Sequence, residues 1–214
     1  MSSFHVAIAG ATGNLGLPIL KSLLDAGFTV TVLSRIGGNA SALPSHSNLT
    51  IKVVDLTSFD SLHPALLGID VVISCVATLA IGSQKPIIDA SVAAGVNRFI
   101  PAEFGMDSAN PLCAQLPVCA PKVATQHRYW GLQMGLILNL EKHTATLYNG
   151  GNVPFSATTL EDVASAVLGV IRHQSQTANR IVYVHSAVLT QNQLIGFAKD
   201  IDGKAWETIS IDTE

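Results

Sequence analysis

Along the first half of the chain, short solid apolar runs alternate with stretches whose apolar residues recur every three or four positions. Residues 4–9 form an apolar run that reads as a buried strand. Leu15, Ile19, Leu20, Leu23 and Leu24 then follow at helical spacing over residues 15–26, and Gly27 stops that helix. Residues 28–33, 49–54, 70–76 and 98–101 read as four further strands. Residues 59–67 and 86–94 read as helices between them, and the Gly, Ser, Asn and Pro of residues 37–48 mark a loop. Solid apolar strands alternating with helices predict an α/β fold with a parallel sheet covered on both faces. Right-handed crossovers place the ends of those strands, and the loops that follow them, on one edge.

Beyond residue 121 the pattern weakens. Residues 108–121 read as a loop rich in Pro and Cys, and residues 122–140 are a helix candidate. Residues 145–148 and 180–185 look like short strands, with a helix over 160–172 between them. No repeat and no low-complexity segment is present.

The first strand runs into Gly10-Ala11-Thr12-Gly13-Asn14-Leu15-Gly16, which opens the first helix. A strand, a GxxGxxG turn and a helix are the context of a dinucleotide phosphate loop, so a Rossmann-type doubly wound sheet is expected. Gly10 permits the tight turn, Gly13 admits a pyrophosphate to the backbone, and Gly16 allows helix and strand to pack closely. Free amides at the helix start, over Thr12, Asn14 and Leu15, face the anion. The same loop could also be a turn that binds nothing. After the second strand an NAD site usually carries Asp or Glu. Here Ser34-Arg35 stands instead, and the planar guanidinium of Arg35 suits a 2′-phosphate, which points to NADP(H). A solvated surface arginine is the alternative. Asp55, at the end of the third strand, is placed to meet an adenine amino group or to serve a turn. Cys75, Val76 and Ala77, at the end of the fourth, are placed near a nicotinamide ribose or are ordinary strand packing.

Composition narrows the class. Apolar residues make up 48% and charged residues 13%, which fits a globular chain with a real core. A net charge of −3 offers no basic face for nucleic acid or an acidic membrane. Cys75, Cys113 and Cys119 are an odd set without a CxxC pair, so neither a disulfide framework nor a zinc site is expected, and reduced thiols suit a cytoplasmic compartment. The first residues lack the features of a signal peptide, and the longest apolar stretch, over 71–81, is too short to span a bilayer.

GATGNLG at 10–16, SR at 34–35 and RFIPAEFGMD at 98–107 resemble the NmrA-like and isoflavone-reductase-like proteins, atypical short-chain dehydrogenases, and most of all their fungal members. The stretches TATLYNGGNVPFSATT at 144–159 and YVHSAVLTQNQL at 183–194 fit as well, so the resemblance covers nearly the whole chain. It implies a Rossmann domain over residues 1–126 and, over 127–214, the rest of the sheet with a reduced substrate lobe. It implies NADP(H) as cofactor and reduction of a small, secondary-metabolite-like molecule. The family's catalytic lysine matches Lys122 in Pro121-Lys122-Val123-Ala124, a residue that would bind the ribose and support proton transfer. Against the family pattern, one helix–strand unit of about 20 residues is absent before Trp130, and the chain stops at Glu214 where members run on. An incomplete lobe and an open sheet edge imply a homo-oligomer.

Two other functions stay open. One is a cofactor-sensing regulator that does no chemistry and signals to a protein partner; the other is a cofactor-binding isomerase. The classical Tyr-xxx-Lys pair is missing, since position 118 is Val and Tyr129 is followed four residues later by Gln133. The seven histidines show no metal-ligand spacing. His5 reads as a core or edge residue, while His127 and His143 are candidates for a pocket. Glu103 could orient a ribose or hold a salt bridge, and no G-x-S-x-G elbow is present.

Overall fold

The computed structural model describes residues 4–77, 80, 84–105 and 138–212. The chain divides into two compact units, residues 1–129 with 163–182, and residues 130–162 with 183–214.

In the first unit, β1 (His5–Ala9), β2 (Thr29–Arg35), β3 (Leu49–Val54), β4 (Val71–Ser74) and β5 (Arg98–Ile100) form one parallel sheet in the order β3-β2-β1-β4-β5. The order reverses between β1 and β4, which makes their shared C-terminal edge the switch point of the sheet. Strand alternation sends Val6 and Ile8 to one face and Ala7 and Ala9 to the other, all four fully buried. Helix α1 (Gly16–Asp25) lies against β1 and β2 and buries Ile19, Leu20 and Leu23 completely. Helices α2 (Phe59–Leu66) and α3 (Gln84–Ala93) close the opposite face, where Leu62, Leu66, Ile87 and Ala90 pack with Ala7, Ala9 and Val72.

The edge remote from the strand ends is fastened by Asp70. Its backbone N donates to His5 O at 2.9 Å and its Oδ2 accepts from His5 N at 2.8 Å. Its carbonyl accepts from Asn97 N and Arg98 N, so one residue ties the starts of β1, β4 and β5. Arg98 then donates through Nη1 to Thr177 O and Oγ1, at 3.2 and 3.0 Å, and through Nη2 to Gln174 O at 2.6 Å. This anchors α5 (Gln174–Thr177), which follows α4 (Leu160–Arg172).

In the second unit, β6 (Leu138–Asn139), β7 (Thr144–Tyr148) and β10 (Glu207–Ile211) form a sheet in the order β10-β7-β6, with β10 parallel and β6 antiparallel to β7. β8 (Phe155–Ala157) pairs with β9 (Ala187–Leu189). Helix α6 (Gln191–Asp202) starts with a capping box between Thr190 and Gln193 and ends at Gly203, whose φ is +66°. Its Ile195 shares a small core with Leu138, Ala145 and Trp206.

Two expectations change. Residues 180–185 form no strand: Ile181, Val182, Tyr183 and Val184 are exposed, and the pairing partner in this part of the chain falls to Ala187–Leu189. β-branched composition makes a strand only where a ladder takes it up. The helix candidate over 122–140 lies outside the described residues except at its end, where Leu138 and Asn139 are strand because they pair with β7. Cys113, Cys119, His127 and Trp130 also lie outside the described residues.

His5 gives the first unit a pH dependence. Burial, reinforced by the nearby Lys52 charge and opposed by Asp70, holds its pKa below the ordinary 6.5 while its Nε2 shares a 2.8 Å hydrogen bond with Thr31 Oγ1. The unfolded chain therefore takes up this proton at higher pH than the folded one, and stability falls as pH drops below about 6.5 toward the folded value. Urea melts between pH 7 and 5 should show that loss, and His5→Gln should flatten it. An unchanged slope in the variant would remove His5 as its source.

Candidate functional site

The strand ends gather at the switch point. Gly10 leaves β1 with φ +83°, a backbone state that a side chain disfavours, and a Cβ there would lie 2.4 Å from Cys75 O. Cys75 N in turn donates to Ala9 O at 2.8 Å, which locks the exit of β4 to the exit of β1. A Cβ on Gly16 would lie 2.1 Å from Gly10 O and 2.8 Å from Ala11 Cα. The helix start therefore rests directly on the turn. Gly13 differs: it is exposed, its N donates to Gly10 O at 3.1 Å, and a Cβ would meet only Gly10 O, at 3.3 Å. The space over Gly13 opens to solvent rather than to protein.

Helix α1 has Leu15 at its N-cap, with no side-chain cap and no acidic residue in its first turn. Helix starts are ordinarily capped by Ser, Thr, Asp or Asn. Here the positive end of the helix dipole is presented at the sheet edge beside exposed Thr12, Gly13 and Asn14. Leu15 itself is buried, so it offers the edge its backbone and not its side chain.

Ser34 and Arg35 are the last two residues of β2, not residues beyond it. Ser34 is buried and its Oγ donates to Arg35 O at 3.3 Å. Arg35 is exposed, and among the described residues no group engages its guanidinium. Gly38 N donates to Arg35 O at 2.9 Å, and a Cβ on Gly38 would lie 2.9 Å from both Arg35 O and Ser34 Oγ. Gly38 thus fixes the turn that releases Arg35. The sequence carried it only as one loop glycine among several.

Asp55 is exposed and engaged locally. Its Oδ1 accepts from Thr57 Oγ1 at 2.7 Å and from Thr57 N at 2.9 Å, and these bonds hold its carboxyl below the usual range. The structure places it in a turn at the end of β3. Cys75, Val76 and Ala77 follow β4 instead of ending it, since the strand stops at Ser74. Cys75 is part-exposed as a residue, but its thiol is surrounded by protein, and burial pushes its pKa up to about 12. Such a thiol stays protonated and unreactive at neutral pH. Lys122 lies outside the described residues.

His143 is in the second unit, where its Nε2 lies 3.2 Å from Asp202 Oδ2 and its ring meets Trp206 edge-on. Among the described residues no group of His, Cys, Asp and Glu could hold a metal ion, and no helix is long and apolar enough to cross a membrane. Gln84, at the start of α3, carries no signal in the linear pattern. Its Oε1 accepts from Ala102 N at 2.9 Å in a buried setting.

An edge with a glycine cradle, an uncapped helix start and a free arginine beside it is chemistry for an extended anion. The model of the NmrA-like family matches residues 2–127. This chain belongs to the NmrA-like family. It is 33% identical over 240 residues to the oxidoreductase aprR of Aspergillus flavus, covering 99% of this chain and 78% of that one. Among solved structures, AtPrR2 with NADP+ and (+)-pinoresinol superposes with a TM-score of 0.76 at 23% identity, over 99% of this chain and 80% of that one. Leucoanthocyanidin reductase of Vitis vinifera with NADPH gives 0.71 at 18%, over 97% and 78%. These neighbours share the Rossmann-type α/β fold.

The two helix-facing glycines should separate in experiment. Gly16→Ala pushes a methyl into backbone and should cost at least about 1–3 kcal/mol of stability. Gly13→Ala should stay within about 1 kcal/mol of the parent. Denaturant titration of both variants checks the difference, and equal losses would mean that Gly13 is as confined as Gly16.

Proposed function

We propose that the chain binds NADP(H) along this edge and acts as an oxidoreductase on a small organic molecule of secondary-metabolite type. The observation that carries the reading is the cradle: Gly10 and Gly16 are closed to any side chain by protein backbone, while a Cβ on Gly13 would meet only Gly10 O, at 3.3 Å, so packing alone gives its bareness no full explanation. A pyrophosphate over Gly13, against the uncapped start of α1, supplies one. The free guanidinium of Arg35 beside it is a fork suited to the 2′-phosphate that distinguishes NADP(H) from NAD(H). The family relative in A. flavus is named an oxidoreductase, and the two solved neighbours are complexes with NADP+ and NADPH.

NADP(H), when bound, supplies or accepts a hydride. The chain's own residues do the rest. Gly10 and Gly16 would shape the turn, Gly13 would admit the pyrophosphate to the backbone, the helix start over Thr12, Asn14 and Leu15 would face it, and Arg35 would hold the adenosine end. Lys122 matches the family's lysine and would bind the ribose and stabilise negative charge developing on the substrate, which a positioned cation does well where water is excluded. Homo-oligomeric assembly and a cytoplasmic location belong to the same proposal.

Calorimetric titration tests the cofactor. NADPH should bind more tightly than NADH, and Arg35→Ala should cost about 1.5–3 kcal/mol in NADPH binding while leaving NADH unchanged. Equal affinity of the unmodified protein for both cofactors would sink the Arg35 assignment.

Turnover tests the chemistry. With a carbonyl or alkene substrate found by panel screening, Lys122→Ala should lower kcat by about 10²–10⁴-fold, the usual size of acid–base effects, with only a modest loss of NADPH affinity from the ribose contact. Full turnover in the variant would clear Lys122 of the role. NADPH binding with no turnover across the panel would favour a cofactor-sensing regulator instead.

A further inference from the structure

Where β4 ends and α3 begins, two buried polar groups have no hydrogen-bond partner among the described residues: Ser74 Oγ and Gln84 Nε2. Both residues are fully buried, at 0% exposure. Strand alternation puts Ser74 on the face of Val72, which packs with residues of α2 and α3, and Gln84 is the first residue of α3. The parallel ladder pairs Val71, Val72 and Ile73 with Arg98, Phe99 and Ile100, and carried one residue further it brings Ser74 beside Pro101. A buried donor without a partner is destabilising, and an apolar side chain of the same size would cost less. Polar groups kept unpaired at a ligand-facing edge are therefore best explained by what that edge binds.

The other end of the Gln84 carboxamide is in use. Its Oε1 accepts from Ala102 N at 2.9 Å. Ala102 stands in residues 101–105, which leave β5 through two successive tight turns, Glu103 N donating to Pro101 O at 2.7 Å and Gly105 N to Glu103 O at 3.1 Å. No ladder bond holds this segment among the described residues, so the buried bond to Gln84 joins it to the start of α3. On the sheet edge the division of labour follows from strand order. Arg35 at the end of β2 marks the side of the adenosine half, and β4 with β5, across the switch point, is left to the other half.

We propose that Gln84 is a positioning residue for the nicotinamide half of the cofactor, a reading that rests on NADP(H) binding. Its Oε1 sets the backbone at Ala102, and its Nε2 is the donor held for the nicotinamide side of the ligand.

Two substitutions and two probes test this. Gln84→Met removes both polar ends at similar volume, and Gln84→Glu keeps an acceptor for Ala102 N while removing the amide donor. The probes are NADPH, followed by its own fluorescence, and adenosine 2′,5′-bisphosphate, which carries only the adenosine half. Gln84→Met should weaken NADPH about tenfold or more, as loss of a hydrogen bond does, and shift the emission of bound NADPH toward that of the free cofactor. Its affinity for the bisphosphate should stay within about twofold, below the size of one lost hydrogen bond. Gln84→Glu should fall between Gln84→Met and the parent. Parent-like NADPH affinity and emission in Gln84→Met would overturn the proposal. So would equal weakening of both probes, which marks a general structural role, or a Gln84→Glu variant no tighter than Gln84→Met. Should Gln84→Met not fold, Gln84→Asn, one methylene shorter, is read in the same way. If the unmodified protein does not bind NADPH at all, the cofactor reading fails and takes this inference with it. That outcome is distinct from a variant that matches its parent.

Discussion

Where β1 passes into α1, backbone meets backbone with no side chain between. Gly10 stands against the Cys75 carbonyl, Gly16 against the Gly10 carbonyl, and in each case a Cβ would intrude to within 2.4 Å or less. That closeness lets the helix begin on the sheet edge itself instead of one layer away. The exit of β4 is drawn to the exit of β1 by the same contact, through the Cys75 N to Ala9 O bond. The switch point, the uncapped helix start and the open ground over Gly13 are consequences of it. An alanine at either confined position would force apart the two elements on which a ligand depends.

The parallel sheet was legible because of where it lies. Strands buried on both faces must be apolar throughout, so β1, β2 and β4 stand out as solid runs whose cores, such as Val6 to Ala9, are wholly inaccessible. The glycine loop was legible for a related reason, since only glycine tolerates those backbone contacts. Legibility failed where pairing rather than composition decides. β6 and β8 are two and three residues long, and β10 is exposed along its whole length, so none of them carries a run or an alternation strong enough to read. Residues 181–184 show the converse, four residues of strand-like composition that no ladder takes up. α6 did leave a signal, the Thr190–Gln193 capping box, which lies just before a weakly apolar helix and was easily passed over.

The candidate site divides in the same way. Positions constrained by the backbone could be read from residue type. Positions defined by one side chain reaching another could not. The Asp55 carboxylate turns back to Thr57 in its own turn, Gly38 shapes the turn after Arg35, and Gln84 meets Ala102 from 18 residues away. Each depends on a local turn or a tertiary contact that a linear pattern does not encode.

The clasp formed by Asp70 has a consequence for how such a sheet diversifies. It ties the starts of three strands by backbone atoms and its own carboxylate, at the margin farthest from the ligand loops. Strand register is thereby set without help from the opposite margin. Loops there are free to lengthen, shorten or exchange residues under selection while the scaffold beneath them keeps its alignment. A sheet hemmed along one side can be re-tailored along the other, so new substrate preferences become accessible without refounding the fold.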